Sequence, residues 1–379
     1  MERQDRTPMI LRSQRVLLPG GWAPADVVCS AGYIDTVDAI GTHGDVFDIG
    51  ESRLVPGFVD VQINGAYGHD FSEDADSIWE VGDRLPETGV TSFLPTIVSE
   101  PEASARKALL AIGEVPPGYS GSLPLGLHLE GPVLSVDRAG AHDPEYLSAD
   151  VPRALWADPR VRMVTLAPEL VDSALIGEIS ARGTVVAIGH TNTTFDTTMH
   201  AFAAGGRHAT HLFNAMPPIH HRRPGPIVAA LLNPSVTIGV IPDGVHVHPA
   251  VLDLVVRSIG SGRLVTVTDA ISAMGMPPGE HRVGPLTAYS DGTTMRLANG
   301  TLAGSLLTMD RAVRFLIDEV GIDPIEVIAS ASTTPAALIG CTERGSIRPG
   351  TRADLVVLDS TYQVRATIIA GSVAFGDVE

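Results

Sequence analysis

The sequence predicts an α/β protein: a (β/α)8 TIM-type barrel with a small β-sandwich domain formed by the N- and C-terminal segments. Three observations lead there. The chain has 379 residues, enough for one barrel of roughly 250 residues with something to spare. Its middle carries eight apolar or β-branched runs of strand length, most of them separated by stretches of helical periodicity. Its two ends share another texture, with VLLPGG and DVVCSAGYID near the start and DLVVLD and VRATIIAGSVAF near the finish.

The elements follow in order. Met9–Asp48 reads as short strands joined by turns, the first part of the small domain (residues 1–52). The eight runs are Gly57–Ile63, Thr91–Ile97, Pro124–Leu129, Arg162–Leu166, Thr184–Ile188, His208–Leu212, Val236–Ile241 and Leu264–Thr268. Near-continuous apolar strands are those buried on both faces, as in a parallel sheet covered by helices. Ser77–Leu85, Glu102–Ile112, Asp172–Ala181, Phe195–Ala204 and Ala250–Ile259 supply helices between them. The barrel is expected over residues 53–348, and 349–379 return to the small domain. An open doubly wound sheet is the runner-up, but neither GxGxxG nor a Walker motif supports it.

Composition removes several function classes. A net charge of −18 disfavours nucleic acid and anionic membranes as partners. Lys107 is the only lysine, so an anionic ligand must be met by arginine. Cys29 and Cys341 are far apart and form no disulfide framework or zinc-finger spacing. The start lacks an apolar stretch of signal-peptide length, and no run of 18 apolar residues occurs, so a cytoplasmic location is expected.

Position carries the functional signal. The third run ends in His128-Leu129-Glu130, the fifth in Gly189-His190-Thr191, the sixth in His211-Leu212-Phe213-Asn214 and the eighth in Thr268-Asp269-Ala270. In a barrel these ends open on one rim, where active sites are built. Glu130, His190 and His211 make a plausible set of three ligands for a catalytic metal, leaving one position for water. Such a metal acidifies water and polarises a carbonyl. Asp269, closing an apolar strand, is the candidate general base and acid. His128 shares the face of Glu130 and reads as a neighbour of the site. His246-Val247-His248 reads as substrate recognition, because the ligand set is complete without it. His220-His221-Arg222-Arg223 is the one dense basic patch, either a solvated loop or an anion contact.

Jointly, HLEGP (His128–Pro132), GHT (Gly189–Thr191), HLFNAM (His211–Met216), DGVHV (Asp243–Val247), TDA (Thr268–Ala270) and LAGS (Leu302–Ser305) resemble the N-acetylglucosamine-6-phosphate deacetylases of the amidohydrolase superfamily. The resemblance runs from about Leu54 to Ile347 and implies metal ligands at Glu130, His190 and His211 and a catalytic acid/base at Asp269. It further implies that His142 polarises the acetyl carbonyl and that Ala141 offers a backbone contact. Asn214-Ala215, Asp243 and His246 match sugar-binding segments, and Ala303-Gly304-Ser305 match a stretch closing over the ligand. Arg222 matches a phosphate-binding arginine supplied by the neighbouring subunit, which implies a homodimer.

One departure separates this chain from many metal-dependent hydrolase barrels, which carry two histidines on the first strand. Here Gln62 and Asn64 stand there. The resemblance divides between both kinds, and the second implies one divalent metal per subunit. Two imidazoles and a carboxylate suit Zn²⁺, while Fe²⁺, Co²⁺ and Mn²⁺ also occupy such sites. Gln62 is placed to hydrogen-bond the metal's water. The expected substrate is a phosphorylated N-acetyl amino sugar. Rival readings are a related amidohydrolase acting on N-acetylgalactosamine, its phosphate, an N-acyl amino acid or a nucleobase, and a sugar-phosphate binding protein without turnover.

Overall fold

The computed structural model describes residues 8–283, 286–298 and 300–378; residues 1–7 and 379 of the two terminal segments lie outside that set. Eight parallel strands follow one another around a barrel: Phe58–Ile63, Val90–Ile97, Leu127–Glu130, Val161–Leu166, Val185–Ile188, His208–Ala209, Thr237–Val240 and Leu264–Thr266. A parallel bridge between Ile63 and Ala270 closes it, reinforced by Asp269 N–H donating to Gln62 O at 2.9 Å and Asn64 N–H to Ala270 O at 2.8 Å. Every residue of the first two strands is buried, the pattern of strands covered by neighbours inside and helices outside. Each fully buried large apolar side chain there contributes about 1.5–3 kcal/mol.

All five expected helices are present, as Ser77–Arg84, Glu102–Ala111, Ser173–Ala181, Phe195–Ala204 and Pro249–Ile259. Their starts are chemically marked: Asp172 Oδ accepts the Ala174 N–H, and Thr194 Oγ that of Thr197. Several strands are shorter than their apolar runs, and two of them for a visible reason. The third breaks at Gly126, whose φ of +131° places it where L side chains rarely go, leaving Leu123–Pro124 as a separate short strand. The sixth stops at Ala209 because the chain turns left-handed at His211, with φ of +24°.

The terminal segments assemble as expected into one small β unit. Its sheet runs Ser372–Gly376, Val364–Ile369, Leu355–Leu358, Arg53–Pro56, Met9–Leu18, Gly21–Ser30, Tyr33–Asp38, with Val46–Asp48 also on Met9–Leu18. The sheet curls back on itself, because Ile34 N–H donates to Thr351 O and Gly350 N–H to Ile34 O. Leu11, Val27, Ile34, Leu355 and Ile368 pack inside. The strand that follows Ser52, Arg53–Pro56, pairs within this sheet, and the chain enters the barrel at Gly57.

One substructure was not anticipated from sequence. After the eighth strand, Gly279–Val283, Leu286–Ser290 and Met295–Leu297 form an antiparallel three-stranded sheet. Its second turn carries a readable signal, Asp291-Gly292, where Asp291 Oδ1 accepts the N–H groups of Thr293 at 2.8 Å and Thr294 at 2.6 Å. Ile271, Ala288, Met295, Ala303 and Leu306 pack it onto the segment that follows Asp269.

Candidate active site

The strand ends converge. Glu130 Oε1 lies 3.3 Å from His190 Nε2 and 3.2 Å from His211 Nε2, and the two nitrogens are 3.1 Å apart. Ligands held at about 2.0 Å on a tetrahedral ion are separated by roughly 3.3 Å, so these three atoms have the spacing of one face of a coordination tetrahedron. The donor set fits a divalent metal. All three side chains are buried, and no second carboxylate would be needed to hold the ion.

The chain reaches this geometry by leaving β conformation where each strand ends. His190, His211 and Asp269 have φ of +46°, +24° and +49°. Such conformations cost of order 1–3 kcal/mol each in non-glycine residues. They swing the side chains over the barrel mouth while the preceding residues stay in the ladder.

Hydrogen bonds set the imidazole roles. His190 Nδ1 donates to Arg138 O at 2.8 Å, so its Nε2 carries the lone pair and faces His211 Nε2 and Glu130 Oε1, the usual arrangement for a ligating histidine. His142 is reversed. Its Nδ1 accepts the Ser99 N–H at 3.2 Å, so the proton sits on Nε2, which lies 3.7 Å from Glu130 Oε2. Glu130, His142 and His190 also lie within reach of one ion, but a neutral His142 presents a donor there, and His211 completes the tighter triangle. His128 stays beneath: its Nδ1 donates to Val61 O at 3.1 Å and its Nε2 pairs with Thr165 Oγ at 2.8 Å.

The buried charges of the cluster offset one another. Burial works against ionised Glu130, yet His142, His190 and His211 outweigh it and hold the carboxyl well below the usual range. Burial lowers His211 as well, but Glu130 reverses the sign and lifts it to about 9. Burial pushes His142 down, and so does neighbouring His190, favouring the neutral donor form. Asp269 is lifted above the usual carboxylate range by burial, with His211 opposing and Glu130 adding to the shift. A carboxylate made more basic suits proton transfer.

Two first-strand amides organise the carboxylates. Gln62 Nε2 donates to Glu130 Oε1 at 3.2 Å and to Asp269 Oδ1 at 3.1 Å. Asn64 Nδ2 donates to the same Asp269 oxygen at 2.9 Å. Sequence reasoning assigns Asn64 no task. The signal was available, since residues two apart on a strand share a face. Ser99, the partner of His142, carried no signal, because its loop is brought there only by the fold.

A cavity of about 450 Å³ opens above, lined by Glu130, Ala141, His142, His190, His211, Asn214, Ala215, His246, Asp269, Ala303 and Gly304 among others. Its size suits a small ligand. Asp243 stands behind it, its Oδ2 2.6 Å from His246 Nδ1. His248 is turned away to cap the helix Pro249–Ile259, so the HxH pair does not converge. Ser305 is not among the lining residues: it is buried, and its N–H donates to Asp269 O at 3.2 Å. Its place is to fix the backbone of Asp269. Arg222 is exposed, donates to His221 Nε2 at 2.7 Å and lies outside the lining of its own chain's pocket. Among the described residues no helix is long and apolar enough to cross a membrane.

Residues 53–374 match the amidohydrolase family. A zebrafish (Danio rerio) N-acetylglucosamine-6-phosphate deacetylase is 42% identical over 348 residues, which is 85% of this chain and 84% of that protein. An Escherichia coli O157:H7 N-acetylgalactosamine-6-phosphate deacetylase is 34% identical, over 96% of this chain and 99% of its own length. A solved variant of the Mycobacterium smegmatis N-acetylglucosamine-6-phosphate deacetylase, in complex with N-acetyl-D-glucosamine-6-phosphate, superposes with a TM-score of 0.89. It is 33% identical, with 97% of this chain and 100% of that one covered.

Proposed function

This chain belongs to the amidohydrolase family, and on that premise we propose that it hydrolyses the acetamide of N-acetylglucosamine 6-phosphate to glucosamine 6-phosphate and acetate. The observation that carries the reading is a basic carboxylate, Asp269, tied by Gln62 to the Glu130, His190 and His211 triangle in the wall of one pocket. Binding alone would require neither the triangle nor the base.

Glu130, His190 and His211 would hold one divalent ion, with zinc the first expectation and Fe²⁺, Co²⁺ and Mn²⁺ the alternatives. That ion supplies Lewis acidity toward the acetyl carbonyl and lowers the pKa of water. Asp269 takes the proton of the attacking water and returns it to the leaving nitrogen, so its Oδ2 must be free while Oδ1 is held by Gln62 and Asn64. His142 donates its Nε2 proton to the carbonyl oxygen, a role that its Ser99 contact prepares. Asn214, Ala215, Ala141 and His246 face the sugar, with Asp243 orienting His246, and Ala303-Gly304 close the wall.

Phosphate recognition is assigned to Arg222 of a second copy in a homodimer. In support, Arg222 is exposed and outside its own pocket, and a guanidinium fork suits phosphate. A cytoplasmic location belongs to the same proposal. The galacto epimer is the second reading, favoured by the 34% identity to the E. coli relative over almost the whole chain.

The test is acetate release by metal-replete protein from N-acetylglucosamine 6-phosphate, its galacto epimer and unphosphorylated N-acetylglucosamine. Release is expected to be fastest from the first. Preference for the epimer would move the assignment to it, and release from none of the three would remove the deacetylase reading.

A further inference from the structure

The charges around the pocket are unevenly placed. Asp70, Glu100 and Asp143 line it from the loops after the first, second and third barrel strands. Their fields add, since burial and the carboxylates of Asp70, Glu73 and Asp143 all lift the Glu100 carboxyl. Against them, the lining includes a single arginine and no lysine among the described residues: Arg296, in the last strand of the sheet that follows Asp269.

The backbone of Arg296 is held in register, while its side chain is exposed. Met295 beside it is fully buried in the core of that small sheet, and alternation along a strand sends Arg296 to the opposite face. A bridge pairs Arg296 with Leu302, and Ala303 N–H donates to Met295 O at 3.0 Å. The strand that carries the arginine is therefore fixed relative to Ala303-Gly304 of the pocket wall. Its Nη1 donates to Gly300 O at 2.9 Å, while Nε and Nη2 have no hydrogen-bond partner among the described residues. A phosphate dianion entering this pocket is repelled by the acidic side and, among the described lining residues, meets its one same-chain guanidinium here.

We infer that Arg296 binds the 6-phosphate of the sugar from within the same subunit, as a specificity-determining residue that acts with Arg222 from the partner copy. The inference rests on the deacetylase reading above and adds the substrate's orientation: phosphate toward the inserted sheet, away from Asp70, Glu100 and Asp143. Losing one charge-assisted contact should lower kcat/KM for the phosphorylated sugar on the order of tenfold relative to the unphosphorylated sugar.

The experiment compares wild type, Arg296→Ala and Arg296→Lys on both sugars, with inorganic phosphate as a competing ligand. The inference expects the phosphorylated-to-unphosphorylated ratio to fall and the inhibition constant for phosphate to rise in Arg296→Ala, with partial recovery in Arg296→Lys. An unchanged ratio and unchanged phosphate inhibition would overturn it while the deacetylase reading stands. Equal losses on both sugars would also overturn it, because they are the signature of a damaged sheet. Failure of wild type to release acetate from the phosphorylated sugar is a different result, which removes the deacetylase reading and this inference together.

Discussion

Replacing Asp269 by asparagine isolates the proposed base from the architecture that holds it. Asp269 Oδ1 accepts Gln62 Nε2 at 3.1 Å and Asn64 Nδ2 at 2.9 Å, and an asparagine carbonyl oxygen in that place accepts both. The amide nitrogen then stands where Oδ2 stood, isosteric but unable to take a proton. The Glu130, His190 and His211 triangle does not involve this residue, so metal content should be retained. General acid–base catalysis contributes roughly 10²–10⁴-fold, which is about 3–5 kcal/mol on the barrier. Since one carboxylate is asked to act first as base and then as acid, the loss in kcat should lie toward the upper end. KM should change little, because Asp269 is assigned no ground-state contact with the sugar. The assay is steady-state acetate release, with metal content measured on the same preparation. A kcat within tenfold of wild type in metal-loaded Asp269→Asn would refute the assignment, because an amide in that place cannot take up the proton of the attacking water.

Three further outcomes are expected. Arg222→Ala should raise KM for the phosphorylated sugar far more than for the unphosphorylated one, and mixing it with an inactive Asp269→Asn partner tests the cross-subunit placement: heterodimers should restore an unimpaired site if Arg222 is supplied in trans. Asp26, held by two Arg12 bonds of 2.7 and 2.8 Å and by the N–H groups of Gly41 and Thr42, has its carboxyl depressed chiefly by Arg12; its stabilisation is complete above the unfolded value of about 3.9 and is lost as pH falls toward the folded value. Urea unfolding of Asp26→Asn should therefore show a flatter pH dependence below about pH 4 than wild type, and parallel profiles would contradict this. Gly304 has φ of +97° and an added Cβ would lie 2.4 Å from Ile271 Cγ2, so Gly304→Ala should destabilise by about 1–3 kcal/mol and raise KM, read by denaturant midpoint and kinetics; wild-type values for both would show the wall to be yielding.

The site was legible in the sequence where chemistry coincides with the end of an apolar run. Glu130, His190, His211 and Asp269 were found that way, and they converge. What escaped has a common physical cause. Ser99 meets His142 from another loop. Ser305 belongs to a segment expected to close over the ligand, yet it is turned to the backbone of Asp269. Neither orientation has a local signature. The inserted sheet had one, at Asp291-Gly292, but its strands are short and alternate with polar residues, unlike the buried runs of the barrel.

The sequence by itself determined the barrel, because strands buried on both faces must be apolar almost throughout and that pattern survives without any knowledge of contacts. It also determined which residue types reach the rim. Only tertiary structure decided what those residues do to one another: that Gln62 bridges two carboxylates, that the Nδ1 of His142 accepts where that of His190 donates, and that Arg296 stands at the pocket wall. Proton positions, basicity and charge balance depend on distances of a few ångströms between segments far apart in the chain, and only closing the barrel sets those distances.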